Sequence, residues 1–251
     1  NKQICVKPFI ADLKRLDADL FIVVAFRMLP KVVWELPALG TFNLHASLLP
    51  AYRGAAPINW VLINGEKETG VTTFFIDDKI DTGAIILQEK QSITSSDTAG
   101  SLHDKLMHLG GALVLKTVDC IASGTFKTRK QTVASSLKAP KLYKETTGIV
   151  WNEPLEAIYN KIRGLSPFPV AWSKFMSNKT EYSVKLYHTH PEFIKHNDPI
   201  GSIITFDKTI KVAVKEGYLF VDELQLSGKR KMHAKSLLNG FQFSENAKML
   251  W

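Results

Sequence analysis

The chain has 251 residues, of which 45% are hydrophobic and 22% charged, and its mean hydropathy is close to zero. These ordinary values exclude collagen-like, coiled-coil and disordered chains. Two cysteines cannot form a multi-bridge secreted scaffold, and no apolar run approaches the roughly 20 residues that span a bilayer. We therefore expect a cytoplasmic protein that does not insert into membranes.

The net charge of +8 is distributed unevenly. Residues 1–125 carry 12 Lys and Arg against 13 Asp and Glu, whereas residues 126–251 carry 20 against 11. A basic domain attracts polyanions, of which nucleic acid is the first candidate. The charge thus indicates two domains and a nucleic-acid partner for the second, although many basic domains bind nothing anionic.

The first half has the pattern of an α/β domain. An apolar, β-branched run at 21–26 predicts a parallel strand buried on both faces. A long amphipathic helix is predicted over 101–121, and its buried stripe comprises Leu102, Leu106, Leu109, Leu113 and Val114. The other predicted elements are helices over 12–19 and 56–63 and strands over 41–45, 71–76 and 84–88.

Small, polar and basic residues follow this half and lack an apolar period. We predict a first domain at 1–125, a basic linker at 126–142 and a second domain at 143–251. A helix over 153–163, N-capped by Asn152, opens the second domain. Short alternating strands at 183–187, 201–206, 210–214 and 218–226 then indicate a small antiparallel barrel of the OB type.

Three residues of the first domain have the chemistry of a proton-handling site. Asn43 and His45 alternate near the end of a predicted strand, so both side chains point to one face. Asp81 lies in a loop after the next predicted strand. A carboxylate can fix the tautomer of an imidazole, and an amide can stabilise an oxyanion formed in acyl transfer. A structural histidine at a strand end is the alternative.

His188 and His190 are the other histidines that alternate along the chain. No cluster of Cys or carboxylate residues completes a metal site around them. The sequence therefore predicts a solvated loop at 187–191 and a protein without a metal.

Residues 42–57, FNLHASLLPAYRGAAP, resemble the signature of the 10-formyltetrahydrofolate-dependent formyltransferases, and residues 80–83, IDTG, match that family's aspartate loop. Asn43, His45 and Asp81 fall on the family's catalytic residues. The resemblance implies an N-terminally incomplete Rossmann-like formyltransferase domain, with 10-formyltetrahydrofolate as the formyl donor. It also implies a folate pocket lined by Phe26, Arg27, Met28, Leu29, Ser47, Leu48, Leu49 and Pro50.

Four segments of the second half are similar to the C-terminal domain of methionyl-tRNA formyltransferases. They are APKL at 139–142, IVWN at 149–152, SPFPVAW at 166–172 and LSGKRKM at 226–232. This resemblance implies an OB-like barrel, a monomer, and initiator methionyl-tRNA as the formyl acceptor. The tRNA contacts it implies, together with the charge, are Arg53, Lys138, Lys141, Lys144, Arg163, Lys229, Arg230 and Lys231.

The sequence departs from the family pattern at three places. The family's first strands and a basic loop that grips the tRNA are mostly absent before residue 21. Phe26-Arg27 stands where many relatives have Tyr-Gly, and Ala46 stands where Gly is frequent. Two other functions remain open at this point: a folate-dependent enzyme acting on a small amine such as a nucleotide-sugar, and a non-catalytic RNA-binding fragment.

Overall fold

The chain folds into two compact units that interleave along the sequence. The computed structural model describes residues 6–25, 28–131 and 137–250. The second unit contains residues 58–67 and 93–103 together with the chain from 141 onwards, and the remaining residues form the first. The functional boundaries at 125 and 142 stay a prediction.

A four-stranded sheet organises the first unit. Its strands lie in the order β1 (Phe21–Val24), β2 (Thr41–His45), β4 (Glu68–Phe75) and β5 (Ile85–Ser92). Strands β1 and β2 are parallel, whereas β4 runs antiparallel to both β2 and β5. Phe42, Ile86 and Ile121 form a core with Phe75, Val114 and Phe126 packed against it. The elements up to the first long helix are α1 Val6–Arg15, β1 Phe21–Val24, α2 Lys31–Trp34, β2 Thr41–His45, β3 Arg53–Gly54, α3 Pro57–Ile63, β4 Glu68–Phe75, β5 Ile85–Ser92 and α4 Ala99–Ala122.

The predicted burial of the first strand on both faces is wrong. Ile22 and Val24 are 46% and 58% exposed, whereas Phe21 and Val23 are half-buried. Within the described residues β1 pairs only with β2 and forms the edge of the sheet. The face that carries Ile22 and Val24 is open to solvent.

Helix α4 confirms the predicted amphipathic pattern. Leu102, Leu106 and Leu113 are buried, and Leu109 and Val114 are half-buried. No helix within the described ranges combines the length and apolarity that a membrane crossing requires.

An antiparallel sheet builds most of the second unit. Six of its strands lie side by side in the order β13 (Lys248–Leu250), β7 (Ala171–Ser177), β8 (Thr180–Phe193), β11 (Gly217–Leu226), β10 (Thr209–Val214) and β9 (Ile203–Phe206). Its two ends are joined, because Ile203 N donates to Ala247 O and Met249 N donates to Gly201 O at 2.9 and 2.8 Å. The predicted antiparallel sheet is therefore curled into a half-barrel whose end strands meet at this bridge. The α-helices and β-strands after α4 are β6 Lys138–Ala139, α5 Leu155–Leu165, β7 Ala171–Ser177, β8 Thr180–Phe193, β9 Ile203–Phe206, β10 Thr209–Val214, β11 Gly217–Leu226, β12 Met232–His233, α6 Ala234–Leu237 and β13 Lys248–Leu250.

Helix α5 begins later than its sequence signals indicate. Pro154 occupies the N-cap position, without a side-chain hydrogen bond, so the predicted N-cap at Asn152 is wrong. Proline has a fixed φ angle and no backbone N–H, which suits the position just before the first helical residue, here Leu155. Strands β7 and β13 had no counterpart among the predicted elements.

Trp151 is the largest fully buried side chain of the barrel core. Its indole Nε1 donates to Ser173 Oγ at 2.8 Å, so replacement by alanine leaves a cavity and removes this buried hydrogen bond. Trp151→Ala is expected to lower the free energy of unfolding by about 3–5 kcal/mol in chemical denaturation. Phe206→Ala, at a side chain that is 79% exposed, should change it by less than about 0.5 kcal/mol. Equal effects of the two variants would contradict this role of Trp151.

Candidate active site

The carboxyl end of β2 carries two buried polar side chains. Asn43 and His45 are 3% and 7% exposed. The Asn43 amide Nδ2 donates to Val23 O on the parallel neighbour β1 at 2.8 Å. His45 Nε2 lies 2.9 Å from Tyr52 O. Because a carbonyl oxygen can only accept, His45 Nε2 carries a hydrogen, and in the neutral ring Nδ1 keeps the lone pair.

The segment after β2 is folded back so that the Tyr52 carbonyl reaches His45. Ser47 Oγ donates to Ala51 O at 2.6 Å, and Tyr52 N donates to Leu137 O at 2.8 Å. Tyr52 itself is buried and has a φ of +59°. These bonds hold the His45 ring in one orientation.

Asp81 lies next to His45, in the loop between β4 and β5. Its Oδ2 accepts a hydrogen bond from Gly54 N at 2.9 Å and lies 3.9 Å from His45 Nδ1. Gly54 has a φ of +128°, and a Cβ there would lie 2.4 Å from Ala139 O, so only glycine fits. The structure thus brings together the predicted His45 and Asp81, and places the carboxylate beside the ring nitrogen that can take up a proton.

A residue that sequence reasoning missed completes this arrangement. Gln131, in the predicted linker, donates from Nε2 to Asp81 O at 3.1 Å and to Gly83 O at 2.8 Å. Its Oε1 accepts from Arg53 Nε at 3.1 Å. Arg53, predicted to contact tRNA, is therefore half-buried and bonded to Gln131. No sequence motif marks Gln131.

A cavity of about 240 Å³ opens beside Asp81. Its wall combines apolar side chains with the acidic β4–β5 loop. The lining residues are Met28, Leu29, Gly54, Ala55, Phe74, Ile76, Asp77, Asp78, Lys79, Ile80 and Asp81.

The predicted folate contacts divide into three groups. Met28 and Leu29 line the cavity, whereas Phe26 and Arg27 lie outside the described residues. Ser47, Leu48, Leu49 and Pro50 are not among the lining residues. Leu49 instead packs against Phe74 and Ile85 in a small core, because its backbone is tied to Thr72 Oγ1 at 3.2 Å. Folate contacts by residues 47–50 stay a prediction.

Arg163 cannot serve as the predicted phosphate contact in this conformation. It is 5% exposed, and its guanidinium donates to Asn160 Oδ1 at 2.7 Å and to Asp97 O at 3.1 Å. Burial lowers the pKa of this guanidinium from its usual value. The pattern around residue 163 predicted a helix but not which side of it faces the core, which is why the assignment was wrong.

The other predicted tRNA contacts in the second unit are exposed lysines and an arginine: Lys141, Lys144, Lys229, Arg230 and Lys231. The ammonium groups of Lys141 and Lys144 lie 5.4 and 5.8 Å from the ring centroids of Tyr143 and Trp172. Lys231 Nζ is 2.9 Å from Glu223 Oε2 and lowers the pKa of that carboxyl. Lys138, in the first unit, is also exposed.

The predicted loop at His188 and His190 is wrong. Both residues lie within β8, and each Nδ1 is 2.9 Å from Asp222 Oδ2 on the neighbouring β11. A β-bulge near Asp222 turns that carboxylate toward both rings, which the sequence did not indicate. Among the described residues, no group of three or more His, Cys, Asp or Glu is arranged to hold a metal.

Two family models match the chain: formyl transferase at residues 3–118 and the formyl transferase C-terminal domain at residues 141–242. The methionyl-tRNA formyltransferase of Flavobacterium psychrophilum is 56% identical over 240 residues, which cover 95% of this chain and 76% of that relative. The enzyme of the same name from Bacteroides thetaiotaomicron is 51% identical over 247 residues, which cover 96% of this chain and 77% of that relative.

Among solved structures, HypX from Aquifex aeolicus in complex with tetrahydrofolic acid superposes with a TM-score of 0.70. It is 20% identical, and the match covers 92% of this chain and 40% of that one, which shows a shared fold. With both family models matched in order and the relatives more than half identical, the chain belongs to the methionyl-tRNA formyltransferases of the formyl transferase family.

Proposed function

We propose that this protein transfers the formyl group of 10-formyltetrahydrofolate to the free amino group of methionyl-initiator tRNA, for the initiation of protein synthesis. The observation that supports the chemistry of this transfer is the position of the His45 ring between the Tyr52 carbonyl and the Asp81 carboxylate. The identity of the two substrates is inferred from the family to which the chain belongs. The proposed setting is the bacterial cytoplasm, and the proposed working form is a monomer.

His45 Nδ1 is the proposed site of proton uptake. An attacking amine must lose a proton as it bonds to the formyl carbon, and a positioned imidazole can accept it. Because Nε2 carries its hydrogen toward Tyr52 O, the proton goes to Nδ1, where Asp81 stabilises the charged ring. The same proton can then return to the leaving nitrogen of the donor.

Asn43 is proposed to stabilise the oxyanion. One hydrogen of its amide is committed to Val23 O, and the second remains to bond an oxygen that gains negative charge. The bond to Val23 fixes the amide plane before the substrate arrives. A donor that needs no reorganisation is worth more in a buried site than in water.

The cavity beside Asp81 is the proposed pocket for the formyl donor. Apolar side chains such as Leu29, Phe74 and Ile76 suit the faces of a pterin ring, and backbone groups of the β4–β5 loop suit its polar edge. This proposal places the formyl group at the end of the cavity where Asp81 and Gly54 meet.

Single-turnover formylation tests the function. The protein is mixed with 10-formyltetrahydrofolate and methionyl-initiator tRNA, and formyl-methionine is measured with time. Transfer to the aminoacyl-tRNA supports the proposal. Transfer only to a small amine, such as an aminosugar nucleotide, would favour the small-molecule alternative, and tRNA binding without transfer to any acceptor would favour the non-catalytic alternative.

The tRNA is expected to bind chiefly through phosphate contacts of the basic residues. Affinity should therefore fall steeply with salt, because each contact releases counterions. Replacing Lys229, Arg230 and Lys231 together by Gln should reduce the slope of log affinity against log salt by about two to three. Lys208→Gln, on the exposed β9–β10 turn, is the control for the loss of a positive charge outside this cluster and should leave the slope unchanged. An unchanged slope in the triple variant would show that these three residues do not contact the tRNA phosphates.

A further inference from the structure

We propose that Gln131 is a positioning residue that holds the Asp81 loop in its active conformation. This inference rests on the proposed function, since it assigns Asp81 to the reaction. It concerns a side chain from the predicted linker, which neither a sequence motif nor the family resemblance marks.

The backbone of Asp81 needs such support. Its φ is +56°, in the left-handed region that a residue with a Cβ adopts at a cost. Its carboxylate is fixed by Gly54 N, but that single bond does not set the direction of the backbone. A conformation of this kind persists only where surrounding contacts over-determine it.

Gln131 supplies those contacts from one amide group. Its Nε2 donates to the carbonyl oxygens of Asp81 and Gly83, 3.1 and 2.8 Å away, so it spans the turn that contains the aspartate. The two hydrogens of the amide match two acceptors that face the same side. The turn therefore cannot rotate without breaking both bonds.

The amide of Gln131 is itself fixed on its other side. Arg53 Nε and Nη2 donate to Gln131 Oε1 at 3.1 and 2.5 Å, which orients the Nε2 hydrogens toward the loop. Nearby, Arg129 N donates to Ile85 O at 2.8 Å, and Ile85 N donates back to Arg129 O at 2.9 Å. This pairing secures the backbone two residues before Gln131.

Arg53 and Gly54 therefore act on Asp81 by two routes. Gly54 N bonds the carboxylate directly, and Arg53 acts on the Asp81 backbone through Gln131. Both residues belong to β3, which follows the carbonyl of Tyr52 that orients His45. One short strand thus sets the positions of the imidazole and the carboxylate together.

The test compares Gln131→Met and Gln131→Glu with the parent in formylation of methionyl-tRNA. Methionine keeps the length of the side chain but removes all of its hydrogen bonds to Asp81, Gly83 and Arg53. Glutamate retains an acceptor for Arg53 but loses both donors to the loop. We expect both variants to lower kcat by about ten- to a hundredfold, since small displacements of a reacting group have effects of this size. KM for both substrates should stay within about twofold.

Gln91→Met is the matched control, because Gln91 lies on β5 and its side-chain amide donates to the adjacent Ser92 O, away from the Asp81 loop. It should behave as the parent does. Thermal unfolding of each variant separates a positioning effect from a loss of fold. Full activity of Gln131→Glu would overturn the inference, because it would show that the bond to Arg53 is sufficient and that the two donors to the Asp81 loop are not needed.

A double-mutant cycle with Asp81→Asn provides a readout that a purely structural role would not move. If Gln131 acts through Asp81, Gln131→Met should lower kcat little further in the Asp81→Asn background. Equal fold-losses in both backgrounds would contradict the inference. Absence of formyl transfer by the parent would instead contradict the proposed function, so the two failures are distinguishable.

Discussion

His45→Asn is expected to slow single-turnover formylation by about a hundred- to ten-thousandfold, the range that a positioned general acid or base contributes. Asparagine preserves a polar, planar side chain but has no ring nitrogen that can accept a proton at the place of Nδ1. Because the side chain at position 45 is buried, water has little access to accept the proton in place of the missing imidazole.

The measurement is rapid-quench kinetics with saturating donor, so that chemistry is separated from binding. His108→Asn, on the exposed side of α4, is the control and should react at the parent rate. Parent-like rates for His45→Asn would refute the assignment of the imidazole. A loss of tRNA binding equal to the loss of rate would assign His45 to binding rather than chemistry.

Asn43→Ala is expected to lower kcat by about a hundred- to a thousandfold, the effect of removing one oxyanion donor. The same change removes the bond to Val23 O, which is worth about 1 kcal/mol of stability. The two consequences are measured separately, by steady-state kinetics and by chemical denaturation.

Asn43→Asp sharpens this test, because it keeps the shape of the side chain and replaces the donor by an acceptor. A carboxylate there would face both Val23 O and the proposed oxyanion, so kcat should fall at least as far as in the alanine variant. Asn152→Ala, at an exposed position outside α5, should leave kcat unchanged. A normal kcat in Asn43→Asp would rule out oxyanion stabilisation.

The elements that the sequence predicted well are those whose pattern is local. Strand β2 occupies the predicted residues 41–45, where apolar and polar side chains alternate, and β1 and β4 pair with its two edges. Helix α4 buries Leu102, Leu106 and Leu113 as its period indicates. Strand β1 was misjudged in burial, since an apolar run does not tell whether another element covers it.

The sequence by itself determined the fold class, the curled antiparallel sheet of the second unit, and the placing of Asn43 and His45 on one face of a strand, because short-range spacing fixes which side chains share a strand face. The tertiary structure decided what surrounds them. Gln131 reaches Asp81 across 50 positions and Arg53 across 78, while Arg163 turns into the core. Such hydrogen bonds depend on the path of the chain between distant segments, and no local period encodes that path.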